Sequence, residues 1–235
     1  MKLNPSQIDQ LFTFTRQHYV EWYDLQSELV DHLANAIETQ WQENPHRSFE
    51  EALQIEFKKF GVFGFMDVVE KRRGVLTKKY YKIVWEYFKD FFSVPKIVLA
   101  IAATVGLFII LKLSVYSQYI FIGVYLLFFG AMFYGLYTNH QNTKKRKKSS
   151  ENKWLFEEVI HNCGYCGGAL SFPFNIMTQV FYQSDDFFFN DYEAAGLSFF
   201  LVLLSLFFYI IFKIIPSKAV QYLKATYPEY KLENV

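Results

Sequence analysis

The stretches YIFIGVYLLFFGAMFYGLY (119–137) and AAGLSFFLVLLSLFFYIIF (194–212) each run for nineteen residues without a charged side chain. At about 1.5 Å per helical residue, each is long enough to cross the roughly 30 Å hydrocarbon layer of a bilayer. The whole chain of 235 residues is nevertheless 20% charged, so its charges are concentrated elsewhere. The sequence therefore predicts an all-α protein divided into a water-facing part and a part solvated by lipid.

Two further segments complete a predicted bundle of four transmembrane helices, with spans at about 94–115, 119–137, 162–182 and 194–215. The first span has a short apolar core, which Lys96 and Lys112 extend by snorkelling. Only a few residues separate the first two spans, so they are expected to form a tight helical hairpin. Basic and aromatic residues between 76 and 93 suit the headgroup layer and predict an interfacial linker helix.

Lysine and arginine are distributed unevenly around these spans, which predicts their orientation. A basic block follows the second span, Lys213 and Lys218 lie at the end of the fourth and after it, and residues 154–212 contain neither Lys nor Arg. By the positive-inside rule, both termini and the basic block then face the cytoplasm. Beside a bilayer the block is expected to contact anionic headgroups rather than nucleic acid. It consists of Lys144, Lys145, Arg146, Lys147 and Lys148.

Residues 1–75 are expected to form an N-terminal cytoplasmic helical bundle, and residues 217–235 a cytoplasmic tail. Asn4, followed by Pro5, predicts the first helix start. Ser48 begins a capping box for a third helix that stops at Gly61, and a short fourth helix is expected over 65–71. Between the first and third helices, apolar residues recur every four positions and predict a helix over about 24–41. They are Leu25, Leu29, Leu33, Ile37 and Trp41.

Cys163 and Cys166 are the two cysteines of the chain and form a C-x-x-C motif at the start of the third span. Three interpretations remain open. The small residues around the motif favour close helix packing. A thiol near a helix N-terminus favours redox chemistry, although the sequence has no second cysteine pair to relay electrons. With His161 the motif offers three zinc ligands, one short of a closed structural site, so no metal and no cofactor is predicted.

Two other groups of polar residues have the spacing of neighbours on one helix face. Glu28, Asp31 and His32 lie at i, i+3 and i+4. They form a partner-binding or metal patch, a solvated face, or a His–carboxylate pair that braces the next helix. The polar residues of the third span either form hydrogen bonds between helices or line a polar path. They are Asn175, Thr178 and Gln179.

The motifs E-L-V-D-H-L at 28–33 and S-F-E-E-A-L at 48–53, followed by Gly61, resemble the HAAS-type α-helical signalling domain and the related permease prefix domain. The resemblance covers about residues 20–73. It implies a bacterial cytoplasmic module that precedes transmembrane segments and is often paired with PadR-like transcription regulators. The four spans leave no room for a permease core, and the whole chain is similar to uncharacterised four-span proteins of Bacteroidota.

These observations predict a non-enzymatic regulatory, scaffold or assembly protein of the bacterial inner membrane. Its N-terminal helices are expected to dock a cytoplasmic or membrane protein, such as a PadR-like regulator or a second copy of the chain. A membrane thiol-redox protein that uses Cys163 and Cys166 is an alternative from another class, and a small transporter or transporter subunit is a third. No assembled active site is recognisable in the sequence, so an enzyme is not predicted.

Overall fold

The computed structural model describes residues 2–94, 96–114, 116–149, 152–162, 175 and 190–231; for residues 117–118, 142–143, 145–149 and 231 only the backbone is described. This part of the chain is helical and contains no strand, so the all-α fold class is confirmed for it. The helices are α1 (Pro5–Gln17), α2 (Tyr23–Glu43), α3 (Phe49–Lys58), α4 (Met66–Asp90), α5 (Lys96–Leu113), α6 (Ser117–Ser149), α7 (Leu155–His161), α8 (Asp191–Tyr209) and α9 (Ala219–Thr226). A π-helical turn (Ile210–Ile214) and a short α-helical turn (Ile215–Ser217) follow α8, and a 3₁₀ turn (Glu229–Lys231) follows α9.

The chain divides into two compact units that are each discontinuous in sequence. Unit 1 comprises the described residues of Met1–Lys78, Lys147–Val159 and Leu223–Val235. Unit 2 comprises those of Lys79–Arg146 and Ile160–Tyr222. Unit 1 therefore differs from the continuous domain expected over 1–75, because it also takes in the segment after the basic block and much of the segment expected to be a tail.

The first three helices of unit 1 begin and pack as their sequence patterns indicate. The Asn4 side chain accepts a hydrogen bond from the Gln7 amide at 2.8 Å, and the Ser48 hydroxyl accepts one from the Glu51 amide at 3.2 Å. Both are N-cap interactions, which satisfy amides that have no partner within the helix. The stripe of α2 that repeats every four residues is buried along its whole length. It consists of Leu25, Leu29, Leu33, Ile37 and Trp41.

Helix α4 is longer than expected. A short helix over 65–71 and a separate linker over 76–93 are replaced by one continuous helix of 25 residues, Met66–Asp90. Gly74 lies within it, and a Cβ at this position would meet no atom within 4 Å. A single glycine costs a helix only about 1 kcal/mol relative to alanine, and the packing of the flanking turns offsets this cost.

The carboxylate of Asp24 joins three parts of unit 1. Its Oδ1 atom accepts a hydrogen bond from the Leu155 amide, at the start of α7, at 3.1 Å. Its Oδ2 atom accepts one from the Tyr227 hydroxyl at 2.8 Å. Burial raises the pKa of Asp24, an effect that the hydrogen bonds from Tyr227 and Leu155 only partly oppose. Because desolvation of a carboxylate is costly, these two donors are required to keep the charge in place.

Aromatic side chains surround this junction and bury it. Trp154 is 2% exposed, and its ring lies 4.7 Å from the Tyr227 ring and 5.5 Å from the Tyr23 ring. The Trp22 indole donates a hydrogen bond to Glu158 at 3.0 Å. The start of α2 therefore packs against α7 and the C-terminal segment, and not only against the N-terminal helices.

The helices of unit 2 include the three segments of the described chain that are long and apolar enough to cross a membrane: Lys96–Leu113, Tyr119–Gln141 and Asp191–Ser217. They are compatible with a multi-pass membrane protein. Of the four predicted spans, the third falls on residues that lie outside the described part of the chain, apart from Asn162 and Asn175.

Helices α6 and α8 run in the same direction. The rings of Phe128 and Phe208 are 5.5 Å apart. Further along both helices, the Phe212 ring lies so close to Gly135 that a Cβ there would be 3.0 Å from it. Helix α5 runs in the opposite direction to α8, because the Lys112 ammonium near its end is 2.8 Å from the carboxylate of Asp191 at the start of α8.

The basic block is part of a helix and not of a loop. Helix α6 continues from the second predicted span through residues 144–148 and ends at Ser149. Lysine and arginine have high helix propensity, and their positive charge interacts favourably with the dipole at a helix C-terminus. The block therefore continues the helix of the second predicted span, and it lies at one end of an apolar helix as predicted.

The raised pKa of Asp24 predicts how the stability of unit 1 depends on pH. A carboxyl whose pKa is higher in the folded than in the unfolded chain stabilises the fold less as the pH rises through its folded pKa. We therefore expect the wild-type free energy of unfolding, relative to that of Asp24→Asn, to increase as the pH is lowered from about 7 towards about 4. Urea titrations of the full-length protein, monitored by pulse proteolysis, measure this difference in the free energy of unfolding.

Glu21→Gln is the matched control for this experiment, because Glu21 forms an exposed ion pair with Lys153 in the same junction. An exposed pair contributes little, so this variant is expected to keep the pH dependence of the wild type. If Asp24→Asn and the wild type follow parallel curves across the pH range, Asp24 is not a desolvated carboxylate.

Candidate docking surface

Five aromatic side chains form a cluster at one end of unit 1. The Phe57 ring is central, with the rings of Phe14, His18 and Phe65 at 5.1, 4.4 and 5.0 Å. The Phe60 ring is 4.8 Å from that of Phe65. Most of these contacts are edge-on, which is the favourable arrangement for aromatic pairs. The cluster ties the last turns of α1 and α3 to the start of α4.

The turn between α3 and α4 projects from this cluster and presents two apolar side chains to solvent. Val62 is 98% exposed and Phe63 is 69% exposed, and we call this pair the apolar tip. Gly61 and Gly64 flank the tip with positive φ angles of 79° and 55°, a conformation that disfavours other residues. Phe65, which is 1% exposed, anchors the turn in the core. The apolar tip is thus fixed in place by its flanking residues.

The patch predicted on α2 lies at the same end of unit 1. Glu28, Asp31 and His32 are all exposed, and the His32 ring is 5.9 Å from the Phe60 ring. The His32 ring therefore contacts the segment that follows α3. Within the described residues, no group of three or more His, Cys, Asp or Glu side chains is placed to hold a metal ion.

The other predicted site residues are described only in part. Lys144 is exposed in α6, whereas the side chains of the remaining four residues of the basic block are not described. Asn175 is helical and exposed. Cys163, Cys166, Thr178 and Gln179 lie outside the described residues, so the interpretations of the C-x-x-C motif and of the polar third span stay predictions.

Comparison of the chain with protein-family models, with curated proteins and with solved structures finds no match.

The apolar tip was not among the residues predicted from the sequence. Its signal is the pattern Gly61-Val62-Phe63-Gly64, in which two apolar residues stand between glycines directly after a helix. Of these four residues, only Gly61 enters the sequence prediction, as the position at which the third helix stops. An apolar pair in a turn can be either buried or exposed. Here Phe65 packs in the core, and Val62 and Phe63 remain on the surface.

The two glycines of the turn predict different costs of substitution. Both have positive φ, so replacing either with alanine is expected to cost about 1 kcal/mol in backbone strain. A Cβ at Gly64 would also lie 3.0 Å from the Phe57 ring, whereas a Cβ at Gly61 meets nothing within 4 Å. Gly64→Ala is therefore expected to lower the free energy of unfolding of unit 1 by about 2–4 kcal/mol, clearly more than Gly61→Ala. Equal losses in urea titrations contradict this geometry.

Proposed function

We propose that this protein is a non-enzymatic, four-span protein of the bacterial inner membrane, in which unit 1 docks a cytoplasmic protein for regulation or assembly. The apolar tip carries the docking part of the proposal. The directions of the membrane-crossing helices support the topology, and the resemblance of residues 20–73 to HAAS-type signalling modules is consistent with both parts.

The parallel course of α6 and α8 supports a fourth crossing. Two consecutive parallel spans require that the chain returns across the membrane between them. Helix α7 has seven residues, too few to cross a layer of about 30 Å. The return then falls between α7 and α8, where the sequence predicts the third span over 162–182.

The composition of unit 1 supports placing both termini on one side. Its three segments precede α5, follow α6 and follow α8, and they share one core. They can pack together only on the same side of a bilayer, so an even number of crossings separates each from the next. Lys144 near the end of α6 and Lys213 near the end of the last span favour the cytoplasmic side.

Exposure of the apolar tip supports docking of a protein. Val62 and Phe63 lie on a water-facing unit whose other large apolar side chains are mostly buried, and burying such a side chain gains about 1.5–3 kcal/mol. Glu28 and Asp31 add negative charge at the same end of the unit. The surface therefore fits a partner segment that combines an apolar pocket with basic side chains.

Site-specific photo-crosslinking in the native cell tests the docking proposal. A photoreactive amino acid at position 63 is expected to capture one cytoplasmic protein, or a second copy of the chain. The same probe at Thr39, which is exposed on α2, serves as the control and should not capture it. Capture with equal yield at both positions contradicts the proposal.

Direct binding of the captured protein to the purified full-length chain completes the test. Val62→Ser and Phe63→Ser, which leave the buried Phe65 untouched, are expected to weaken binding at least tenfold each, as for other apolar anchors. Thr39→Ala should leave the dissociation constant unchanged. An affinity that is unaffected by either tip substitution excludes the apolar tip as the docking site.

A further inference from the structure

A cavity of about 1040 Å³ lies within unit 2, between α6 and the helical segment that ends at Ser217. Sites for small-molecule ligands usually measure about 300–1,000 Å³, so this cavity is large. One end is lined by apolar side chains, among them Val124, Phe128 and Phe208. The other end is lined by polar ones, among them Thr138, Lys213 and Ser217.

The parallel course of α6 and α8 produces this separation of apolar and polar lining. Along α6 the lining runs from Val124 and Phe128 to Thr138. Along the other wall it runs from Ser205 and Phe208 to Lys213 and Ser217, and the Ser205 hydroxyl donates its hydrogen bond to the Leu201 carbonyl at 2.7 Å. The apolar ends and the polar ends of the two cavity walls therefore coincide. Lys213 forms no ion pair or hydrogen bond with the described residues, so its positive charge is available to a ligand.

The backbone departs from α-helical geometry where it forms the polar end of the cavity. Ile210–Ile214 is a π-helical turn, and residues on both sides of it and within it, Tyr209, Phe212, Lys213 and Pro216, line the cavity. Such turns are rare in helices and are frequent at functional sites. A hydrogen-bonded pair borders the cavity, since the Asn139 amide donates to the His161 carbonyl at 2.6 Å and His161 is one of the lining residues.

We propose that the cavity binds one acidic phospholipid of the surrounding bilayer, with an acyl chain among the apolar residues and its phosphate beside Lys213. An acyl chain suits apolar walls that lie at membrane depth, and a phosphate suits an ammonium group at the headgroup end. The proposal rests on α6 and α8 lying in a bilayer and does not depend on docking by unit 1. It assigns the membrane part of the protein a ligand in addition to its role as an anchor.

Photo-crosslinking of lipids to the full-length protein in phosphatidylcholine nanodiscs tests this proposal. Three probes carry the same photoreactive acyl chain: phosphatidylglycerol, phosphatidylcholine and the free fatty acid. One nearby lysine is worth about 1 kcal/mol, so phosphatidylglycerol is expected to label the cavity-lining peptides roughly fivefold more than phosphatidylcholine. Lys213→Gln should abolish this preference, and Lys213→Arg should retain it.

A tryptophan pair separates the cavity from ordinary lipid contact. Ala131→Trp places a large side chain on the cavity wall, whereas Phe133 lies two residues away on α6, is 61% exposed and is not part of the lining. Labelling by phosphatidylglycerol is expected to fall several-fold in Ala131→Trp and to stay at the wild-type level in Phe133→Trp. Equal labelling of these two variants overturns the proposal, because the lipid then lies outside the cavity.

Two further results also overturn the proposal. If Lys213→Gln keeps the preference for phosphatidylglycerol, the phosphate is not held by Lys213. If the free fatty acid labels the lining more strongly than phosphatidylglycerol and displaces it, the ligand is a free carboxylate amphiphile and not a phospholipid of the bilayer. Because none of these readouts involves unit 1, failure here leaves the docking proposal unaffected.

Discussion

The hydrogen bonds to the Asp24 carboxylate connect parts of the chain that are 131 and 203 positions apart in sequence. Each connection spans at least one helix that is long and apolar enough to cross a membrane, so it constrains the path of the whole chain and not only the local fold. Burial disfavours the ionised form of Asp24, and the two donors offset only part of this cost. The Leu155 amide is one of the orphan donors at the start of α7, and the carboxylate satisfies it. One interaction therefore stabilises a helix start, a buried charge and the assembly of unit 1.

On the proposed topology, this constraint limits how many times the chain crosses the membrane between the segments of unit 1. Segments that share a core cannot be separated by a bilayer, so on this account the spans occur in pairs between them. On the same account α6 and α8 run in one direction. The apolar parts of their cavity-lining faces therefore lie side by side, and so do the polar parts beside Lys213. The proposed docking surface and the proposed lipid site thus belong to different units that are built from alternating portions of one chain.

Much of the fold could be predicted because its signals are local. Caps at Asn4 and Ser48, and the stripe of α2, depend on residues three or four apart. The composition of unit 1 could not be predicted, since nothing near Trp154 or Tyr227 indicates that Asp24 is their partner. The continuity of α4 could not be predicted from the patterns of 65–71 and 76–93 taken separately, because the packing of the flanking turns stabilises the helix across Gly74. At the site, the pattern of Glu28, Asp31 and His32 indicated an exposed face, but the apolar tip needed the packing of Phe65 to be recognised.

Accessibility of single cysteines in intact cells tests the central claim, that three distant segments form one unit on one side of the membrane. In a variant without the two native cysteines, positions 39, 152 and 225 sample the three segments, and Tyr116, which is 68% exposed, samples the connection between α5 and α6. We expect an impermeant thiol reagent to label only the cysteine at 116 before lysis and all four afterwards. Labelling of 152 or 225 in intact cells, with 39 protected, contradicts the account.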